Sequence, residues 1–496
     1  MNRDLLQDSL SHISDKYIAE AAAPKKPRYP LYISAIAAGL ALILTLGLLL
    51  PKSGSNTSKA AQSTPTEDTA DILPSQPVEE QTAFLPLLAA PKLPEISAFP
   101  QDYTDQDSFK AWQASRSALH SAPDGYADSL TDFWLQSIPL YLSSQEGENA
   151  AYSPISFYMA LAMLTRAAEG TSRQELLTLL GADSMEALTR QAQYVFTNQY
   201  ENDGVHTSIL ANSLWLDDAF SFQETAVTEL AEAFYASVYR GALESPEMNA
   251  ALKDWLNAQT GGLLEDSIAN LQPMDAVTAM VMASTINYRC KWNQEFAPEW
   301  NTQECFYGTH GEKTVTYMNR TLESGCYYTG KNFSATYLSL DDGSRMWLVL
   351  PDETVSPETL LAQGDALNLI LSDAPAEKKV LNINLSLPKF DISADLDLKK
   401  GMKELGLQEI MDPNKADFTG ICDQGPGLYL GSASQGVRVS IDEVGLTGVA
   451  YTVIMIPEKG IAPNMEEVDF VLDRPFLFVV ESSDGLPLFA GIVNNP

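Results

Sequence analysis

The sequence predicts an α+β domain held behind an N-terminal transmembrane helix, and three observations carry that prediction. Helical periodicity dominates from about residue 127 to 181, strand periodicity recurs after residue 340, and residues 31–50 form an unbroken run without charge. With 496 residues, 45% of them hydrophobic, the chain can bury a large core.

Residues 1–30 read as a short cytoplasmic tail. The run 31–50, LYISAIAAGLALILTLGLLL, is long enough to cross the ~30 Å hydrocarbon core as a helix. Lys25, Lys26 and Arg28 precede it, so the positive-inside rule leaves the N-terminus in the cytoplasm and everything after residue 51 outside the cell. A cleaved leader fits less well. The apolar run exceeds the usual ~7–15 residues of a signal-peptide core, it follows a long lead, and no A-x-A-like site closes it. Residues 51–96, rich in Ser, Thr, Pro, Gln and Ala, read as an extended extracellular linker. Residues 97–126 carry Phe99, Tyr103, Phe109 and Trp112 and are expected to pack on the main body as an N-terminal extension.

The main domain, 127–496, opens with helices. DSLTDFWLQSIPLYL places Leu130, Phe133, Trp134, Ile138 and Leu142 at helical spacing, giving one apolar face. SPISFYMALAMLTRAAEG is apolar nearly all round, as in a helix buried beneath other layers. In TSRQELLTLLG, Thr171 and Gln174 suggest a capping box and Gly181 a helix end. Strands follow: LNINLSLPKF sets Ile383, Leu385 and Leu387 against Asn382, Asn384 and Ser386, so one face is buried and one wet. MWLVLP, 346–351, is a continuous apolar run suited to a central strand, and RPFLFVVESSDGLPLFAGIV is a hairpin turning at Asp484-Gly485.

Composition excludes several functions. A net charge of −34 disfavours nucleic acid, which is gripped by clustered Lys and Arg. Cys290, Cys305, Cys326 and Cys422 lie far apart without metal spacing, so no metal or cofactor is expected; two disulfides by any of three connectivities, or four thiols, remain open. His12, His120, His206 and His310 belong to no HExxH or G-x-S-x-G pattern, and Glu169, Asp217, Asp218, Asp341 and Asp342 read as solvated carboxylates. The chain is not expected to be an enzyme.

Five segments, in this order, resemble the serpin family. They are NAAYSPISFYMALAMLTRAAEG with the following SRQELLTLLG, ASTINYRCKWNQEF (283–296), LPKF (387–390) and DRPFLFVVESSDGLPLFAGIVNNP (473–496). The resemblance implies three β-sheets surrounded by eight to nine helices, with an exposed reactive-centre loop over 443–470. In that family a protease cleaves the loop, which then inserts as a new strand into the main sheet and traps the acyl-enzyme.

The loop's composition agrees with such a fate. Val444 to Pro457 carry no charge, and an inserting strand cannot bury unpaired charges. The resemblance makes Glu443, Val444, Gly445, Leu446, Thr447, Gly448, Val449 and Ala450 the hinge. Counting from Gly445 as the hinge glycine puts the cleaved bond between Lys459 and Gly460. Lys459 is also the one Lys or Arg between Arg438 and Arg474, which points to a trypsin-like protease. Leu446 and Val444 depart from the small and acidic residues usual at those positions, and overpacking at Leu446 would cost about 1–3 kcal/mol during insertion.

By the same resemblance, Ser153 and Ser156 lie beneath the sheet opening and Trp292 at the sheet's upper end. Gln435 replaces the usual histidine, with an amide that can both donate and accept. The implied protein is a monomeric, membrane-anchored, extracellular suicide-substrate inhibitor that forms a covalent complex with a serine protease. The retained anchor suggests a bacterial surface protein. The alternative is a non-inhibitory serpin-fold binding or adhesion module on the cell surface.

Overall fold

The computed structural model describes residues 38–48, 87–100, 105–145, 147–372, 376–423, 427–445 and 465–496. Strands β1 (Ala38–Leu48) and β2 (Leu87–Ala89) come first, followed by helices α1 (Gln106–Leu119) and α2 (Thr131–Leu142). After the short β3 (Ala150–Tyr152) stand α3 (Pro154–Ala167), α4 (Gly170–Leu179) and α5 (Met185–Gln199). Next come β4 (Glu201–Asn202), β5 (Thr207–Asp217), α6 (Glu224–Ala233), β6 (Ala236–Gly241), α7 (Pro246–Gln259), α8 (Glu265–Ala269) and β7 (Thr278–Arg289). The middle of the chain is largely strand: β8 (Thr302–Gly308), β9 (Gly311–Gly330), β10 (Phe333–Ser339) and β11 (Arg345–Pro351). Helices α9 (Pro357–Gln363) and α10 (Asp365–Leu371) lead to β12 (Glu377–Pro388), β13 (Asp391–Asp397), α11 (Leu398–Met402) and β14 (Leu428–Ser440). The chain closes with β15 (Glu467–Val471), β16 (Phe476–Glu481) and β17 (Pro487–Val493).

Two hydrogen-bonded sheets result. The first runs β13-β14-β1-β7-β5-β6-β2, with β4 attached to β5; the second runs β15-β12-β9-β10-β11-β16-β17-β3, with β8 on β9. The three expected sheets are present, two of them joined into one hydrogen-bonded network. The 20-residue β9 joins the halves of the second, pairing with β8 and β12 along much of its length and with β10 at its C-terminal end. Eleven α-helices occur among the described residues rather than eight or nine, because α8, α9, α10 and α11 are pieces of seven residues or fewer.

Between the layers lies α3, in which every residue but Arg166 is buried. Pro154 in its first turn presets a helical φ and lacks only a donor that would have no partner there. Arg166 reaches out to Glu229 at 2.6 Å, so the single charge on a helix otherwise apolar finds a partner. The expected β12 alternation is present, with Leu381, Ile383, Leu385 and Leu387 buried. The closing hairpin pairs Phe476 with Val493 and turns through Gly485, whose φ is +88°.

Three expectations need correction. The capping box at Thr171 is absent: α4 begins at Gly170, its N-cap is Glu169, and Gln174 Nε2 donates to Thr178 Oγ1 at 3.3 Å instead. Within the expected linker, Leu87 and Ala89 pair with Tyr239 and Val238, adding β2 to the sheet edge. Most consequentially, residues 38–48 are a central strand rather than part of a helix, and no helix among the described residues is long and apolar enough to cross a membrane. The physical reason is shared backbone logic. An uncharged apolar run satisfies its peptide groups internally as a helix in lipid, or through a ladder on each side in the middle of a sheet.

Candidate functional site

The site is built where β7 and β14 end together. β14 delivers the chain to Asp442, whose Oδ1 accepts from the backbone N–H groups of Val444 at 3.0 Å and Gly445 at 3.2 Å. This Asx-type turn lets a short carboxylate do a backbone's work. Trp292, buried just beyond β7, donates from Nε1 to the Asp442 carbonyl at 2.8 Å and from its backbone N–H to the Val444 carbonyl at 3.2 Å. Phe296 N–H donates to the Glu443 carbonyl at 2.8 Å.

Glu443 is tied down as well. Lys389 Nζ lies 2.5 Å from Oε1, and Asn301 Nδ2 donates to the same oxygen. Burial alone would raise the carboxyl's pKa, but the hydrogen bonds from Lys389 and Asn301 outweigh it and hold the group below the ordinary carboxylate range.

Gly445 then bridges Lys291 in antiparallel fashion with φ +103°. A Cβ there would stand 2.4 Å from Trp292 N and 2.7 Å from Lys291 Cα, so both the backbone sign and the space demand glycine. The expected hinge residues Glu443, Val444 and Gly445 are thus gathered on Trp292. Leu446, Thr447, Gly448, Val449, Ala450, Lys459 and Gly460 lie outside the described residues.

Below this point, Gln435 of β14 faces the start of α3. Its Oε1 accepts from Ser153 N–H at 3.0 Å and its Nε2 donates to the Ser153 carbonyl at 3.1 Å, both buried. One amide thereby closes a two-bond latch between sheet and helix. Ser153 and Ser156 are fully buried, and their hydroxyls make no hydrogen bond among the described residues.

The strand β1 occupies the gap between β14 and β7, antiparallel to both. Ala38 pairs with Tyr288, Ile43 with Ala283 and Ser434, and Leu48 with Leu428. The position directly below the hinge, between β7, which leads up to Trp292, and β14, which carries Gln435, is therefore filled by the chain's own N-terminal segment.

A second cluster adjoins the hinge. His206 is buried between Asp203 at 3.3 Å and Asp341 at 3.6 Å, and Asp341 also accepts from Cys290 Sγ and Lys291 N–H. Burial opposes the charge on His206, but the two carboxylates push its pKa up to about 10. From the extension helix α1, Trp112 Nε1 donates to Asp203 at 3.1 Å and Arg116 pairs with Glu201 at 2.8 Å. Glu201, Asp203 and His206 stand close enough to share a cation, yet each has a protein partner, and an imidazolium has no lone pair to offer. Asp341, read from sequence as solvated, is exposed and also takes part in this pairing. No disulfide joins Cys290, Cys305, Cys326 and Cys422 among the described residues.

Sequence reasoning missed Asp442, Phe296, Asn301 and Lys389 as hinge partners. Only Asp442, three residues before Gly445, left a local trace, as a turn-forming Asp.

A central sheet with a glycine hinge clamped at its head and a long excursion before a C-terminal hairpin defines a class of protein, and comparison with known proteins agrees with it. Residues 128–496 match the family model described as Serpin (serine protease inhibitor). The chain belongs to the serpin family, whose members are generally protease inhibitors. It is similar to Serpin-Z2B of Triticum aestivum, 27% identical over 70% of this chain and 90% of the relative, and to antithrombin-III of Homo sapiens, 26% identical over 71% and 78%. Among solved structures it resembles the thermophilic serpin tengpin in its native state, with TM-score 0.65, 22% identity and coverage of 82% of this chain and 100% of that one. Thyroxine-binding globulin complexed with thyroxine shares the fold with TM-score 0.61, 20% identity and coverage of 75% and 98%.

Proposed function

We propose that the protein is an extracellular suicide-substrate inhibitor of trypsin-like serine proteases, cleaved between Lys459 and Gly460. One observation carries the reading. The hinge is clamped at Trp292 directly above the gap between β7 and β14, and the segment that leaves it has no charge until Glu458. Backbone that follows β14 and turns back would run antiparallel to both strands, the polarity that gap requires. Lys459 supplies the basic residue a trypsin-like specificity pocket takes.

The same reading extends to a single-pass membrane protein of bacterial type with the domain outside the cell and the N-terminus in the cytoplasm, in which residues 31–50 enter the bilayer by giving up the strand position that 38–48 hold in the sheet. Its support is the uncharged 20-residue run and the basic residues before it.

The test uses the full chain reconstituted in phospholipid vesicles and mixed with trypsin. A band at the summed mass that survives boiling in detergent is expected, and Lys459→Glu removes at least nine-tenths of it. Unchanged yield from Lys459→Glu would move the cleaved bond elsewhere.

A second reading, a non-inhibitory binding module, is favoured by one observation: β1 already fills the gap that a cleaved loop would need. Quantitative cleavage after Lys459 in vesicles with no stable complex would support it.

A further inference from the structure

We propose that residues 38–48 are an intramolecular plug that closes the main sheet against the cleaved loop, and that a lipid bilayer unplugs it by taking up the same residues as a helix. This rests on the inhibitor reading above and assigns its regulation.

The register makes the competition explicit. Gly445 stands opposite Lys291, and in an antiparallel ladder each step forward along the loop answers one step back along β7. Gly448 would therefore fall opposite Tyr288 and Ile456 opposite Met280. Those are the partners of Ala38 and Leu46. The plug begins three residues below the hinge bridge and runs with the polarity that a returning loop would have. Both segments, AGLALILTLGL and GVAYTVIMIP, are free of charge, as a strand flanked on each side demands. Two strands cannot share one pair of ladders, so one excludes the other.

The connection permits the arrangement. Residues 49–86 join Leu48 to β2 on the far edge of the same sheet, and fully extended they could span beyond ~100 Å, against ~5 Å per strand crossed. What would draw the plug out is equally specific. Residues 31–50 contain it whole, and that run is long enough for a bilayer helix, in which every peptide group bonds internally. The strand and the span are alternative homes for one segment, so occupancy of the membrane leaves the gap open for the loop.

Two variants test this. In Ile43→Cys/Ser434→Cys the mutated positions are direct ladder partners, ~4.5–5.5 Å apart at Cα, within disulfide reach. Ile43→Pro removes an N–H from a strand paired on both sides, which a sheet interior does not accept, while a proline in a membrane span is tolerated. For lipid-free wild type mixed with trypsin, we expect cleavage after Lys459 with under a tenth of the chain in stable complex. Phosphatidylcholine/phosphatidylglycerol vesicles should raise the complex at least fivefold, and Ile43→Pro should match that yield without lipid. The crosslinked pair should form no complex even with vesicles, until reduced; Ile43→Cys alone is the control.

A crosslink that fails to form in lipid-free protein overturns the plug, as does a crosslinked chain that still traps trypsin at full yield. If no variant forms complexes in any condition, the inhibitor reading fails and the plug's role fails with it. In that case crosslink formation still separates a misread function from a misplaced strand.

Discussion

Gly445 concentrates the hinge's physics in one residue. Its φ of +103° lies where L side chains rarely sit, and the backbone of Lys291 and Trp292 leaves no room for a Cβ. Gly445→Ala is expected to cost about 1–3 kcal/mol, because the chain must strain the turn or release Trp292 from Asp442 and Val444. Calorimetric melting of the variant reads this directly, and a stability within ~0.5 kcal/mol of wild type would show that the hinge is not clamped. Residue-level legibility was uneven here. Gly445 and Trp292 could be marked from sequence through family resemblance, whereas Lys389, Asn301 and Phe296 could not, since each reaches the hinge across a long sequence separation that no local pattern encodes.

At the scale of elements, the α1 extension and the sheet meet through the charged chain Arg116–Glu201 and Trp112–Asp203–His206–Asp341. With His206 raised to about 10, its contribution to stability is complete below the ordinary histidine pKa of ~6.5 and is lost as pH rises through about 10. Asp203 and Asp341 are held low, so theirs is present above the ordinary aspartate range and lost as pH falls below it. Replacing the cation takes a charged partner from the buried Asp203 carboxylate and from the more exposed Asp341, both of which keep other donors, so His206→Gln should destabilise by about 1–3 kcal/mol near pH 6. The gap to wild type should shrink at pH 10. Chemical denaturation at both values checks it; a gap that grows with pH would reverse the assignment of charge.

α2 and β12 were readable in advance because their periodic side chains dictate which face is buried, and α3 and the closing hairpin because an unbroken apolar helix and a turn between two apolar runs are signals of their own. β1 was not. Apolar runs read alike as buried strand or helix, and only the presence of two open ladders decides between them.

For the whole molecule, the decisive quantity is whether the main sheet is full. With β1 in place, the sheet already holds eight strands and presents no free ladder between β14 and β7. Cutting the loop of such a molecule releases no new pairing, because the freed segment finds both edges of the gap taken. The nicked, lipid-free wild type is therefore expected to melt within about 2 °C of the intact protein, the shift of a change below ~1 kcal/mol in a chain this size. Ile43→Pro should behave oppositely. Its gap is open, so after cleavage the uncharged loop residues can add a full strand's hydrogen bonds and bury apolar surface, and its melting temperature should climb by 10 °C or more. Differential scanning calorimetry of both proteins before and after trypsin treatment makes the comparison. A large rise in nicked wild type without lipid would mean that the loop displaces β1 unaided, and the N-terminal strand would then be no barrier to insertion at all.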